Sequence, residues 1–168
     1  LPSQGHFFNV GSATSRFTPA GPDHAQIASV NGVIDYFEAI DAHHFDDSDE
    51  SSSKTDRVGA LLHRAEIGNL GLLLDFLKHR KGVHIIGKTV AKDRAPTVSF
   101  TVDGADPEGI AAKLAEQRIG IANGNCYAYR LMDALGIPPD QGVVRLSFVH
   151  YTSKEEVNRL IEALKTII

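Results

Sequence analysis

Residues 142–164, GVVRLSFVHYTSKEEVNRLIEAL, constrain this chain more than any other stretch. Val144, Leu146 and Phe148 alternate with Val143, Arg145, Ser147 and Val149, the period of a half-buried strand. Thr152 or Ser153 then caps a helix, with Glu155 or Glu156 placed to complete a capping box. Val157, Leu160, Ile161, Leu164 and Ile168 share one helical face. A strand that hands straight over to an amphipathic helix calls for a sheet with helices laid on it. The exception within the strand is Arg145. A guanidinium stays charged, so in an apolar strand it must reach water, a carboxylate or a ligand.

Before that stretch the same logic repeats. Val83–Gly87 reads as a short strand. Thr97–Val102 alternates cleanly, which suggests an antiparallel sheet with one wet face. Asp106-Pro107 opens a helix with Ile110, Ala111 and Leu114 on its core side. Ile119–Ala122 has the composition of a short edge strand. Asn125 can cap a helix carrying Ala128, Leu131, Met132 and Leu135. Residues 82–168 therefore form a small α+β domain.

The N-terminal half is more helical. Residues 1–20 are rich in turn formers. Gly21-Pro22-Asp23 then starts a helix over 22–40, striped by Ile27, Val30, Ile34 and Phe37. Residues 41–55 are acidic and serine-rich, the pattern of a solvated, mobile loop. His43, His44, Asp46, Asp47 and Asp49 there lack the i, i+4 spacing of a helical metal site, so no metal is expected. A long connecting helix follows over 54–81, with Gly68 and Gly71 marking a kink or close packing. The basic run Lys78–Lys81 complements that helix's dipole better than it suggests an anion site.

Composition narrows the function. With 168 residues and a net charge of -4, the chain has no basic footprint for nucleic acid. No apolar run is long enough for a bilayer span, so no membrane partner is expected. One cysteine excludes an internal disulfide framework and suits a reducing, cytoplasmic setting. The chain begins at Leu1 and its first fifty-three residues hold no lysine, which fits a portion of a longer protein. Cys126 is either a small apolar residue or a nucleophile at a helix start. Tyr127 and Tyr129 are either core aromatics or ligand-facing phenols. His150 reads as structural. The helix start at Asp23 and His24 is a natural anion seat. Arg145 either snorkels to water or pairs with a surface acid, or it clamps a carboxylate or phosphate in bidentate fashion.

Three segments in order, RFTPAGPDHAQIASVNGVIDYFEAI, GIANGNCYAYRLM and VVRLSFVHYTSKEEVNRLIEAL, resemble class V aminotransferases. These are pyridoxal-phosphate enzymes of fold type I, and the resemblance is to their cysteine desulfurase-like branch. It covers nearly the whole chain. It implies that residues 1–53 are the tail of a large cofactor domain, 54–81 a connecting helix and 82–168 the small C-terminal domain. It gives Arg145 the role of binding the substrate α-carboxylate, with Tyr127 and Asn125 beside it. It places Gly21, Asp23 and His24 near the cofactor phosphate of a neighbouring subunit, in a homodimer of the parent protein. Two departures matter. Tyr127 stands where desulfurases carry their catalytic cysteine, and Cys126 comes one position early. The Schiff-base lysine, in an S-x-H-K-like motif, matches none of the lysines present. The resemblance thus implies a parent aminotransferase or lyase acting on an amino acid with pyridoxal 5'-phosphate, and a stretch inactive by itself. The competing expectation is a stand-alone α+β module that binds a small carboxylate without catalysis.

Overall fold

The computed structural model describes residues 23–46 and 52–168. The chain divides into two compact units, residues 1–58 and 59–168.

In the first unit Asp23 caps helix α1 (His24–His44), its carboxylate accepting from the amides of Ala25 and Gln26. The helix runs four residues beyond the expected end at position 40, into the stretch read as a mobile acidic loop. The cause is a pairing invisible to local pattern. Asp41 is buried, and its carboxylate takes a forked contact from Arg57, sixteen residues on, with Nη2 at 2.6 Å from Oδ2. Arg57 also lies over the Phe45 ring, 5.2 Å from its centroid, and Lys54 stands 3.8 Å from Asp41. Burial of both charges is tolerable only because the fork pairs them. Asp41 is held below the usual carboxylate range, chiefly by its hydrogen bond from Arg57. The bonded carboxylate therefore stabilises the pairing above the ordinary aspartate pKa. That contribution fades as pH falls through the lowered value. Protection factors of the amides of residues 37–45 should stay high at neutral pH and fall only below about pH 4, where an unperturbed aspartate takes up its proton. Asp41→Asn should remove that acid step and give low protection throughout; an unchanged acid step would contradict this account. Elsewhere on α1, Ile27, Val30, Val33, Ile34 and Tyr36 are exposed.

Helix α2 (Lys54–Lys78) bridges the unit boundary and runs unbroken through Gly68 and Gly71. A Cβ added at either glycine would meet nothing within 4 Å, so neither marks close packing. Its Leu70, Leu73, Leu74 and Leu77 enter the core of the second unit.

That unit is built on a four-stranded antiparallel sheet, ordered β1 (Val83–Ile86), β2 (Thr97–Val102), β4 (Val143–Ser147), β3 (Ala122–Gly124). Val98, Phe100, Val144 and Leu146 are fully or nearly buried on one face. They share a core with α2, with α3 (Pro107–Glu116) through Ile110 and Leu114, and with α5 (Lys154–Lys165) through Val157, Leu160 and Leu164. The alternation in the sequence is thus real: one phase feeds the helices and the other does not. Asp106 caps α3 and Ser153 caps α5, where the capping box with Glu156 is complete in both directions.

Three boundaries shift from expectation. The edge strand is Ala122–Gly124, not 119–122. Strand β4 ends at Ser147, because the Val149 amide turns to the Thr152 hydroxyl at 3.1 Å. His150 therefore lies in a turn rather than on the strand. Helix α4 is only Tyr129–Ala134 and has no side-chain cap.

Candidate functional site: the Arg145 face of the sheet

Arg145 sits in the centre of β4, on the face opposite the core residues Val144 and Leu146. The register sets it in a row across all four strands: Ile86, Ser99, Arg145, Ala122. It is half-buried, its Nε is buried with no hydrogen-bond partner, and among the described residues no acid forms an ion pair with it. Pairing of Arg145 with a surface carboxylate thus has no support among the described residues. A buried donor without a partner costs about 1–3 kcal/mol, more when charged, and a bound anion is the natural group to supply the partner.

Asn125, Cys126 and Tyr127 leave the sheet at the end of β3, beside the start of β4. Two glycines make that possible. Gly124 and Gly142 both have positive φ, 97° and 68°, and a Cβ on Gly142 would lie 2.0 Å from the Gly124 carbonyl carbon. The strands touch where neither has a side chain. Cys126 and Tyr127 are then both left-handed, at φ 50° and 62°, a costly backbone for two consecutive non-glycine residues. Asn125 holds it: its Oδ1 accepts from the Tyr127 amide at 3.0 Å, and its Nδ2 donates to the Pro139 carbonyl at 3.2 Å. So Asn125 caps the loop, not the helix, and both ends of its amide are spent there. Tyr127 is fully exposed, with its phenol free to meet a ligand. Cys126 is half-buried, its thiol 3.7 Å from the Gly124 carbonyl, and does not start a helix.

Asp23 and His24 lie in the first unit, Arg145, Asn125 and Tyr127 in the second. Gly21 falls outside the described residues, as do Asp47 and Asp49 of the acidic run. Among the described residues no cluster of histidine, cysteine and acids could hold a metal. No described helix is long and apolar enough to cross a membrane. Gly124 and Gly142 shape the site yet escaped sequence reading; the only trace was Gly124 just after one strand-like run and Gly142 just before another.

The model of the class V aminotransferase family matches residues 8–160. This chain belongs to that family. Within it, an aminotransferase-like protein, FGM3, from Gibberella zeae is 28% identical over 172 residues, covering 100% of this chain and 39% of the relative. A probable cysteine desulfurase from Vibrio cholerae is 41% identical over 70 residues, 42% of this chain and 17% of the relative. The apo cysteine desulfurase of Thermococcus onnurineus superposes with a TM-score of 0.61 at 31% identity, over 67% of this chain and 28% of that one. The fold is also that of the cysteine desulfurase CsdA from Escherichia coli, at a TM-score of 0.65 and 20% identity, over 88% of this chain and 31% of that one. The branch is therefore the cysteine desulfurase-like one, and the chain spans well under half the length of these relatives.

The family cofactor can be tested against the described residues. Asp23 turns its carboxylate onto the first-turn amides of α1, filling the seat that a phosphate would otherwise use. A phosphate there would meet a like charge. None of the lysines stands in the S-x-H-K context either. By themselves the described residues do not fit pyridoxal phosphate.

Proposed function

We propose that this stretch forms the substrate-side part of a longer, pyridoxal-phosphate-dependent enzyme of the cysteine desulfurase-like branch. Arg145 binds the α-carboxylate of an amino acid, Tyr127 lines the same approach and Asn125 fixes the loop that carries it. The observation that carries this reading is the half-buried guanidinium with an unpartnered Nε, in the strand position of the family motif. The lysine and most of the cofactor site belong to the remainder of the protein. Gly21, Asp23 and His24 stand near the cofactor phosphate of a second subunit only through their backbone. The exposed apolar residues of α1 suit burial in a homodimer. The 168 residues alone are inactive, and the reaction is transamination or elimination at the amino-acid α-carbon. Sulfur removal is disfavoured because the thiol sits at Cys126 while the exposed Tyr127 takes the expected position.

The test uses the complete reading frame that contains this stretch. The purified protein should be yellow, lose its colour with hydroxylamine, and change its visible spectrum on adding an α-amino acid. The 168-residue chain should do none of these. A colourless full-length protein, indifferent to amino acids, would favour the non-catalytic carboxylate-binding module instead.

A further inference from the structure

We propose that Ser99 is a second anchor for the carboxylate, donating a hydrogen bond to it from β2 while Arg145 grips it from β4. The inference rests on the reading of Arg145 as a carboxylate site. In the row Ile86, Ser99, Arg145, Ala122, only Ser99 and Arg145 carry hydrogen-bonding side chains. Their pairing geometry brings them close. The Phe148 amide donates to the Pro96 carbonyl, so the even-numbered residues of β4 exchange backbone bonds with β2. Ser99 and Arg145 are therefore a non-hydrogen-bonded pair, the kind whose side chains stand nearest each other. The next such pair along the ladder, Thr97 and Ser147, shows that reach: its hydroxyls bond at 3.2 Å. Thr97 spends its proton there, whereas the Ser99 hydroxyl makes no hydrogen bond among the described residues. On the far side of Arg145 the register sets Ala122, whose side chain is a single methyl group. A carboxylate has two oxygens and about four acceptor sites, enough for the guanidinium fork and one hydroxyl together. The ligand class is a small amino acid whose carboxylate is unsubstituted, since an amide offers one oxygen and a competing NH2.

The 168-residue chain can be titrated with L-alanine and with L-alaninamide, following amide signals of β2 and β4 by NMR. The wild type should respond saturably to L-alanine and not to L-alaninamide. Ser99→Ala should weaken L-alanine binding about tenfold, the worth of one hydrogen bond to a charged group. Ser99→Thr, which keeps the hydroxyl and suits a strand, should restore it. Arg145→Gln should abolish it. If Arg145→Gln abolishes binding while Ser99→Ala leaves it unchanged, the Arg145 reading stands and the Ser99 proposal falls. If the wild type shows no saturable response, or Arg145→Gln binds as well as the wild type, both fall.

Discussion

Arg145→Gln should lower kcat/KM of the full-length enzyme for its amino acid by about 100-fold or more, with most of the loss in KM. Two charge-assisted hydrogen bonds at about 1.5–3 kcal/mol each set that scale. The carboxylate does not react, so its grip is the same in ground and transition states, and uniform binding shows up in KM. Arg145→Lys should recover only part, because an ammonium keeps the charge but loses the planar fork. Stability should move the other way. The guanidinium has a buried, unpartnered Nε, so Arg145→Met should leave the fold as stable or more so. A residue that costs nothing to remove from the fold and much to remove from the reaction is held for its ligand. Denaturant unfolding and steady-state kinetics on the same variants check both halves. A Met variant destabilised by several kcal/mol, or a Gln variant with unchanged KM, would return Arg145 to an ordinary structural part.

The sheet was legible because its signal is local. Strand β2 and the first five residues of the alternating run in β4 emerged with the expected faces, and Asp106, Pro107, Ser153 and Glu156 marked the ends of α3 and α5 by short-range hydrogen bonds. What escaped depends on contacts between distant positions. Helix α1 continues to His44 because Arg57 supplies the buried partner for Asp41, and nothing within 41–46 announces that. Strand β3 sits at Ala122–Gly124 because of its register against Arg145 and Val143, which a three-residue strand cannot encode alone.

The site divides in the same way. Arg145 stood out, since charge inside an apolar alternation is visible in one dimension. That it lacks a partner, and that Ser99 is its neighbour, are properties of register. Asn125 was noticed for the right chemistry but the wrong duty. Its side chain does cap a backbone amide, yet the amide is that of Tyr127 in a left-handed loop rather than one in helix α4. The alternation of 143–149 places Arg145 in its strand, and the family resemblance adds only its role. Only the geometry showed that the Asp23 carboxylate already caps the next two amides, those of Ala25 and Gln26.

Gly142→Ala should be among the most disruptive single changes in the second unit, and its effect should converge on Tyr127. Its φ of 68° costs an alanine about 1–2 kcal/mol before any contact is considered. The added Cβ would then lie 2.0 Å from the carbon and 2.3 Å from the oxygen of the Gly124 carbonyl, and 2.5 Å from the Asn125 amide nitrogen. These are backbone atoms, so no side chain can rotate away; β3 itself must move off β4. That strand has three residues, and all three pair only with β4. Losing it frees the Asn125 loop and with it the left-handed pair at Cys126 and Tyr127. A loss of about 2–4 kcal/mol is expected, the range reserved for combined strain and overpacking. Gly68→Ala and Gly71→Ala supply the contrast. Both lie within helix α2 with empty space at the Cβ position, so each should stabilise by up to about 1 kcal/mol. Denaturant midpoints of the three variants, with amide spectra of residues 120–130, decide the matter. If Gly142→Ala matches the wild type in midpoint and in the Tyr127 signals, then β3 is not held by this crossing and the loop owes its shape to something else.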